Sequence, residues 1–368
     1  MLKKLKIVQV IYALIQGGAE KFVVDLSNKL AETHEVYIIT LRGDSSDLFQ
    51  NQIHKSVNYI NFPIDNGFNL RDIYRLNRFI DGLKPDIIHT HLQVVFYFLL
   101  RSVFNRKEVI FHTIHNDASF DGKIRYQFHL RKFFYKRGLI IPITISEESK
   151  DSYEKYYNLD NSELINNACA TPSISSQFEE VRKQVNSLKS SPENLVLVHL
   201  SRFHEDQKQH SVLIKAFNKI RSKHQNAILL IIGRGYDLDE AKFLIDIAGD
   251  GVFFLGEKSN IGDYLRLSDA FCLSSRFEGL PISLLEAISL GCVPICTPVG
   301  GIRDIIQEGE IGYMSTGIDE ESYYEVLSRF VNKPYKIQKE TLERFFLDNY
   351  SIARCSALHE EIFLKYLK

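Results

Sequence analysis

Residues 269–298, DAFCLSSRFEGLPISLLEAISLGCVPICTP, hold a complete strand–turn–helix–strand unit. DAFCLSS (269–275) is a short, nearly continuous apolar run of strand length. RFEGLP (276–281) is a turn, with Gly279 tolerant of unusual backbone angles and Pro281 near the first helical position, where proline is favoured. ISLLEAISLG (282–291) reads as an apolar helix, and VPICTP (293–298) as the next strand. A strand apolar on both faces, followed by a helix and another such strand, implies a parallel sheet covered on both sides.

The same alternation runs outward in both directions. Toward the C-terminal half it includes NLVLVHLSR (194–202), AILLIIGRG (227–235) and VFFLGE (252–257). In the N-terminal half the strands are KIVQVIY (6–12), EVYIITL (35–41), YINFPI (59–64), DIIHTH (86–91), VIFHTIH (109–115) and IIPITIS (140–146). Between the first two lies AEKFVVDLSNKLA (19–31), whose Phe22, Leu26 and Leu30 recur on one helical face. A polar, Ser-rich stretch with a helical middle, 170–194, interrupts the series. The expected fold is α/β: two doubly wound, Rossmann-like domains facing across a cleft, 1–175 and 176–349, with a terminal helix over about 350–368.

Length and composition agree with two domains and real cores, since 45% of the 368 residues are hydrophobic. The net charge of −1 demands no polyanionic partner, and nucleic acid is not expected. Charge is uneven, however: residues 1–150 carry 21 Lys+Arg against 15 Asp+Glu, and the remainder 24 against 31. Five scattered cysteines fit a reducing, cytoplasmic setting better than a disulfide framework. The opening MLKKLKIVQVIYALI reads as a first buried strand, because no cleavage pattern follows it. No apolar run reaches the roughly 20 residues that span a bilayer.

Ligands of such sheets sit at strand carboxyl ends and helix N-termini. Gly17 and Gly18 occupy the first such turn and let a ligand approach the backbone closely. They are not a G-x-G-x-x-G pattern, and no acidic residue ends the second strand, which argues against NAD. His89, His91, His112 and His115 end two neighbouring strands and suggest a polar cleft wall; no thiol or carboxylate pattern accompanies them, so no metal site is expected. In LSRFHEDQKQHSVLIKAF (200–217), Arg202 and Lys208 flank a helix start and could clamp a diphosphate. Gly233 and Gly235 follow another strand; Asp237 and Asp239 beside them read as helix caps. Around the opening turn, the amides from Gly279 to Ser283 suit phosphate, and Glu278 and Glu286 suit vicinal sugar hydroxyls.

Taken in order, GGAEKFVVDLSNKLAETHEVYIITL, KPDIIHTH, VIFHTIHN, LSRFHEDQKQHSVLIKAF, RFEGLPISLLEAISLGCVPICTPVGGIRDII and NYSIARCSALHEEIFLKYL make the chain resemble glycosyltransferase family 4. These are retaining, nucleotide-sugar-dependent enzymes of the GT-B fold with an E-x7-E signature. The resemblance implies that Arg202 and Lys208 bind the donor diphosphate, that Glu286 holds the ribose, and that Glu278 with the amides of Gly279 and Leu280 binds the transferred sugar. It places Gly17 and Gly18 by the phosphates, Gly233 and Pro281 in the donor site, and His115 near the anomeric centre. It also implies that the C-terminal helix returns to the N-terminal domain. Departures are Asn116 in place of Asp, NNACATPS (166–173) at the linker entry, Gln209 where glycine usually follows the lysine, and Asp304 where a glutamate is usual.

The reaction so implied transfers a sugar from a nucleoside diphosphate to an acceptor hydroxyl, with no metal or other cofactor, in surface polysaccharide, capsule or glycolipid assembly. The acceptor is expected to be a glycan or lipid-linked molecule. GKIRYQFHLRKFFYKRGL (122–139) interleaves cations and aromatics in a way that suits an anionic membrane surface. A nucleotide-sugar epimerase of the same fold and a non-catalytic nucleotide-sugar binder are the competing readings.

Overall fold

The computed structural model describes residues 3–15, 17–42, 49–64, 69–104, 107–116, 118, 125–223, 227–332 and 337–367. The chain forms two compact units, Met1–Cys169 with Ile352–Lys368, and Ala170–Ser351.

In the first unit, seven strands pair in the order β3-β2-β1-β4-β5-β6-β7. They are β1 Lys6–Ile11, β2 Glu35–Thr40, β3 Asn58–Asn61, β4 Ile87–His91, β5 Val109–Ile114, β6 Ile141–Thr144 and β7 Glu163–Leu164. Every pairing is parallel. The central strands are buried on both faces, which is why they read as unbroken apolar runs. Helix Gly18–Leu30 turns Phe22, Val23, Leu26 and Leu30 inward. The terminal helix Ile352–Tyr366 packs beside it: Phe22 and His359 stand with ring centroids 6.0 Å apart. Phe363, fully buried, reaches Phe111 of β5 at 4.9 Å. Lys365 and Tyr366 both bond Glu163 of β7, at 2.6 and 2.7 Å. The terminal helix therefore completes the first unit, as the resemblance implied.

The second unit has the order β10-β9-β8-β11-β12-β13. Its strands are β8 Leu195–Leu200, β9 Ala227–Ile232, β10 Val252–Gly256, β11 Ala270–Leu273, β12 Val293–Cys296 and β13 Tyr313–Met314, again all parallel. Segment 170–175 packs with this unit. The Ser175 amide and hydroxyl both donate to the fully buried Asp263 carboxylate, at 2.8 and 2.5 Å. Its boundary thus falls six residues before the 175/176 division read from the sequence, because two hydrogen bonds to the buried Asp263 hold that polar stretch. Both sheets reverse strand order once, at β1/β4 and at β8/β11. Such a reversal opens a crevice at the strand carboxyl ends.

Candidate functional site

The β8/β11 reversal brings together two turns that are 70 residues apart in sequence. After β8, Glu205–Lys208 forms one helical turn, and Glu205 ties it down by accepting from the Ser211 hydroxyl at 2.5 Å. After β11, Ser274 donates its hydroxyl to the carbonyls of Lys208 and Gln209, at 2.9 and 3.0 Å. The Arg276 amide donates to the Gln207 carbonyl at 2.7 Å. Between these stitches Lys208 Nζ meets Glu278 Oε1 at 2.6 Å, and the Ser275 hydroxyl donates to the same oxygen at 2.5 Å. The ion pair is largely sheltered, with side-chain exposures of 13% for Lys208 and 7% for Glu278.

Gln209 is left-handed at φ 48°, the conformation that a glycine there would adopt without cost. Its amide nitrogen fits the carbonyls of Ser274 and Ile318, at 3.1 and 3.2 Å, and these bonds offset the strain. This departure from the family pattern therefore keeps the backbone course and adds a tie to the β11 turn.

The turn 278–281 has a second support. Gly300 is left-handed (φ 56°), and a Cβ there would lie 2.2 Å from the Glu278 carbonyl oxygen and 2.6 Å from that of Gly279. The Gly301 amide donates to Gly279 O at 2.8 Å. Pro281 is the N-cap of helix Ile282–Ser289, next to the first helical residue, as expected. The N–H groups of Gly279, Ile282, Ser283 and Leu284 donate to no partner among the described residues, so they remain available to an anion. Leu280 is buried beneath them, and Glu286 is buried on the helix itself.

The remaining expected residues fall around this centre or in the other unit. Arg202 lies exposed on the turn after β8, and its guanidinium makes no ion pair among the described residues. Gly233 has a structural reason to be glycine: at φ 150°, an added Cβ would come 1.8 Å from Ser201 O. It lets the ends of β8 and β9 meet, which positions the Arg202 backbone. Neither Asp237 nor Asp239 caps a helix as expected: Leu238 is the N-cap of the short helix Asp239–Ala241, with no side-chain cap bond, and Asp239 lies in its first turn, paired with Lys242 at 2.6 Å. No group of three or more His, Cys, Asp or Glu among the described residues is arranged to hold a metal ion.

In the first unit Gly17 is the N-cap of helix Gly18–Leu30, and the Glu20 carboxylate folds back over it, 2.3 Å from where a Cβ would stand. A ligand phosphate at Gly17 and Gly18 would have to share this helix end with that carboxylate. The four strand-end histidines do not form an open wall. His89, His91 and His112 are fully buried and His115 is 7% exposed: His359 and Phe363 of the terminal helix pack on His89, whereas Tyr135 of helix Arg125–Lys136 stacks on His112. Gln9 Oε1 accepts from His91 Nε2 at 2.8 Å, which leaves His91 Nδ1 to accept from His115 Nε2 at 3.0 Å. Leu92 O accepts from His112 Nε2 at 2.8 Å, and the Tyr135 hydroxyl donates to His112 Nδ1 at 2.6 Å. Burial holds His115 neutral, with its pKa lowered to about 3. Its Nδ1 has no hydrogen-bond partner among the described residues.

Helix Arg125–Lys136 presents an inner and an outer face. Arg131, Phe134 and Tyr135 point inward: Arg131 donates to Gln93 Oε1 at 2.7 Å and lies 4.8 Å from the Phe96 ring centroid. This takes Arg131 out of the solvent-facing cation set expected from the sequence. Tyr126, Leu130 and Phe133 are exposed, with Arg137 continuing the same stripe just past the helix. Residues 122–124 lie outside the described residues. No described helix is long and apolar enough to cross a membrane.

Comparison with known proteins agrees with this anatomy. Residues 16–171 match the family model Glycosyltransferase Family 4, and residues 168–345 match Glycosyl transferases group 1. The chain belongs to the family-4 type of glycosyltransferases. It is 26% identical over 253 residues to an uncharacterized glycosyltransferase of Methanocaldococcus jannaschii, a match covering 64% of this chain and 62% of that relative. It is 26% identical over 329 residues, 86% of each chain, to a Campylobacter jejuni α-1,4-N-acetyl-D-galactosaminyltransferase whose name specifies a glycan carried on PP-undecaprenol. The crystal structure of Anabaena HepE in complex with UDP and glucose shares the fold, with a TM-score of 0.81 and 15% identity over 98% of this chain and 100% of that one. The two Rossmann-like units thus have GT-B structural neighbours.

Proposed function

We propose that this protein is a retaining glycosyltransferase that moves a sugar from a nucleoside-diphosphate sugar to an acceptor hydroxyl, in assembly of a bacterial surface polysaccharide or glycolipid. The observation that carries the reading is the sheltered Lys208–Glu278 pair at the β8/β11 reversal, beside unpartnered amides, in a chain of glycosyltransferase lineage. Lys208 and Arg202 supply positive charge to the departing diphosphate, and the amides of Gly279, Ile282 and Ser283 add fixed dipoles. Glu278 accepts from hydroxyls of the transferred sugar, with Gly279 and Leu280 beside it, and Glu286 takes the ribose. His115 is the first-unit residue that the family pattern assigns to the sugar.

In this reaction the bond from the anomeric carbon to the phosphate oxygen breaks, and a bond to the acceptor oxygen forms on the same face. The acceptor proton passes to the leaving phosphate. Charge stabilisation of the leaving group supplies most of the acceleration, with side-chain cations in the place a metal ion would otherwise take. The relative acting on a PP-undecaprenol-linked glycan supports a lipid-linked or glycan acceptor. The exposed Tyr126–Leu130–Phe133 stripe and its flanking Arg125, Lys132, Lys136 and Arg137 support peripheral contact with an anionic bilayer at the cytoplasmic face.

The test is incubation of the purified chain with a panel of nucleotide sugars and polyprenyl-diphosphate glycans, with NMR assignment of the product anomer. Transfer with retained configuration is expected. Conversion of a nucleotide sugar without any acceptor would identify an epimerase instead, and an inverted anomer would refute the retaining mechanism.

A further inference from the structure

Glu278 is already engaged before any ligand arrives. Its Oε1 accepts from both Lys208 Nζ and Ser275 Oγ, whereas Oε2 has no hydrogen-bond partner among the described residues. Ser275 is fully buried and fixed in its own right, since its carbonyl accepts from Thr297 Oγ1 at 2.6 Å. Two opposite charges this sheltered stabilise each other, and separating them leaves a poorly solvated ion unless a new partner takes over. A diphosphate competes directly for Lys208.

We propose that donor binding exchanges this ion pair: Lys208 turns to the diphosphate, Ser275 keeps Glu278 in place, and a hydroxyl of the sugar replaces the ammonium on the carboxylate. The inference rests on the nucleotide-sugar reading above. It has a consequence for turnover. A bare nucleoside diphosphate also draws Lys208 away, but it brings no hydroxyl to Glu278. The site therefore holds the product less tightly than the same nucleotide carrying its sugar, and release is favoured once the sugar has gone. Ser275 acts as a positioning residue, because it acts through Glu278.

Calorimetric titration of the full chain tests this. The probes are UDP, ADP, GDP and dTDP, each compared with its glucose conjugate, on wild type, Glu278→Gln and Ser275→Ala. Glutamine matches the shape of Glu278 but releases Lys208, so Glu278→Gln is expected to bind the nucleoside diphosphate roughly tenfold tighter while losing preference for the sugar conjugate. Ser275→Ala is expected to weaken the sugar conjugate by roughly tenfold and to leave the bare diphosphate within about twofold. Unchanged or weaker diphosphate binding by folded Glu278→Gln would overturn the exchange, because Lys208 would then serve both partners at once. Equal weakening of both probes by Ser275→Ala would reduce Ser275 to a structural role. A wild-type chain that binds none of the probes would instead refute the donor-site reading itself.

Discussion

Lowering the pH from 8 to 5 should destabilise the first unit through its own histidines. His89, His91, His115 and His359 lie buried together, linked by ring contacts such as 4.2 Å between His89 and His91 and 5.5 Å between His89 and His359, and His112 is buried nearby against Tyr135. Burial lowers every one of their pKa values, and neighbouring histidines oppose charging of all but His359: His115 falls to about 3, His359 to about 4, and the other three well below the ordinary 6.5. Below pH 6.5 the unfolded chain takes up protons that the folded chain refuses, so stability falls as pH falls. For His115 and His359, whose folded values lie near 3 and 4, the loss between pH 8 and 5 is about 2 kcal/mol each, and the other three histidines act in the same direction. The carboxylates with lowered values, Glu35, Asp86 and Glu163, lose stability only in the more acidic range below their ordinary pKa, so the window from 6.5 to 5 belongs to the histidines. Urea titrations followed by circular dichroism across pH 8 to 5 measure the slope directly. His359→Leu should remove about one proton from it, or about 1.4 kcal/mol per pH unit. A first unit whose stability is flat between pH 7 and 5 would refute the reasoning.

Other perturbations follow from the same geometry. Gly300→Ala must push a Cβ against the Glu278 and Gly279 carbonyls at a left-handed position, so kcat/KM should fall about a hundredfold while circular dichroism stays native. Gly233→Ala has no room against Ser201 O and should lower the stability of the second unit by about 3 kcal/mol or more, read by urea denaturation. Phe363→Ala empties a fully buried site under the terminal helix and should cost about 3–5 kcal/mol in the first unit, also visible as faster proteolysis near residue 352.

Much of the fold was legible because parallel strands buried on both faces leave unbroken apolar runs, and each run is followed by a helical pattern. The two-residue strands β7 and β13 and the helix Lys339–Asn349 escaped notice: two residues carry no period, and that helix has a weakly apolar face with only Leu342 and Phe346 buried. At the candidate site, Lys208 and Glu278 could be anticipated as site residues because each lies in a turn after a strand, whereas their ion pair shows only in the folded β8/β11 reversal. Ser275 could not. It reads as an ordinary serine at a strand end, and only the folded turn aims its hydroxyl at Glu278. Gln209 carried a usable signal, since a non-glycine where glycine is usual hints at a left-handed residue with compensating bonds. The histidines misled for a physical reason. Strand carboxyl ends usually open to ligand, but here the terminal helix brings His359 and Phe363 onto His89, a contact between residues some 270 positions apart in sequence, and Tyr135 covers His112.

The most direct test of the central claim is donor-dependent transfer of a labelled sugar to an acceptor by wild type, Glu278→Ala and Lys208→Ala, with melting curves to confirm folding. The account predicts transfer by the wild type and a loss of at least about a hundredfold in each variant. Wild-type rates in both folded variants would contradict it.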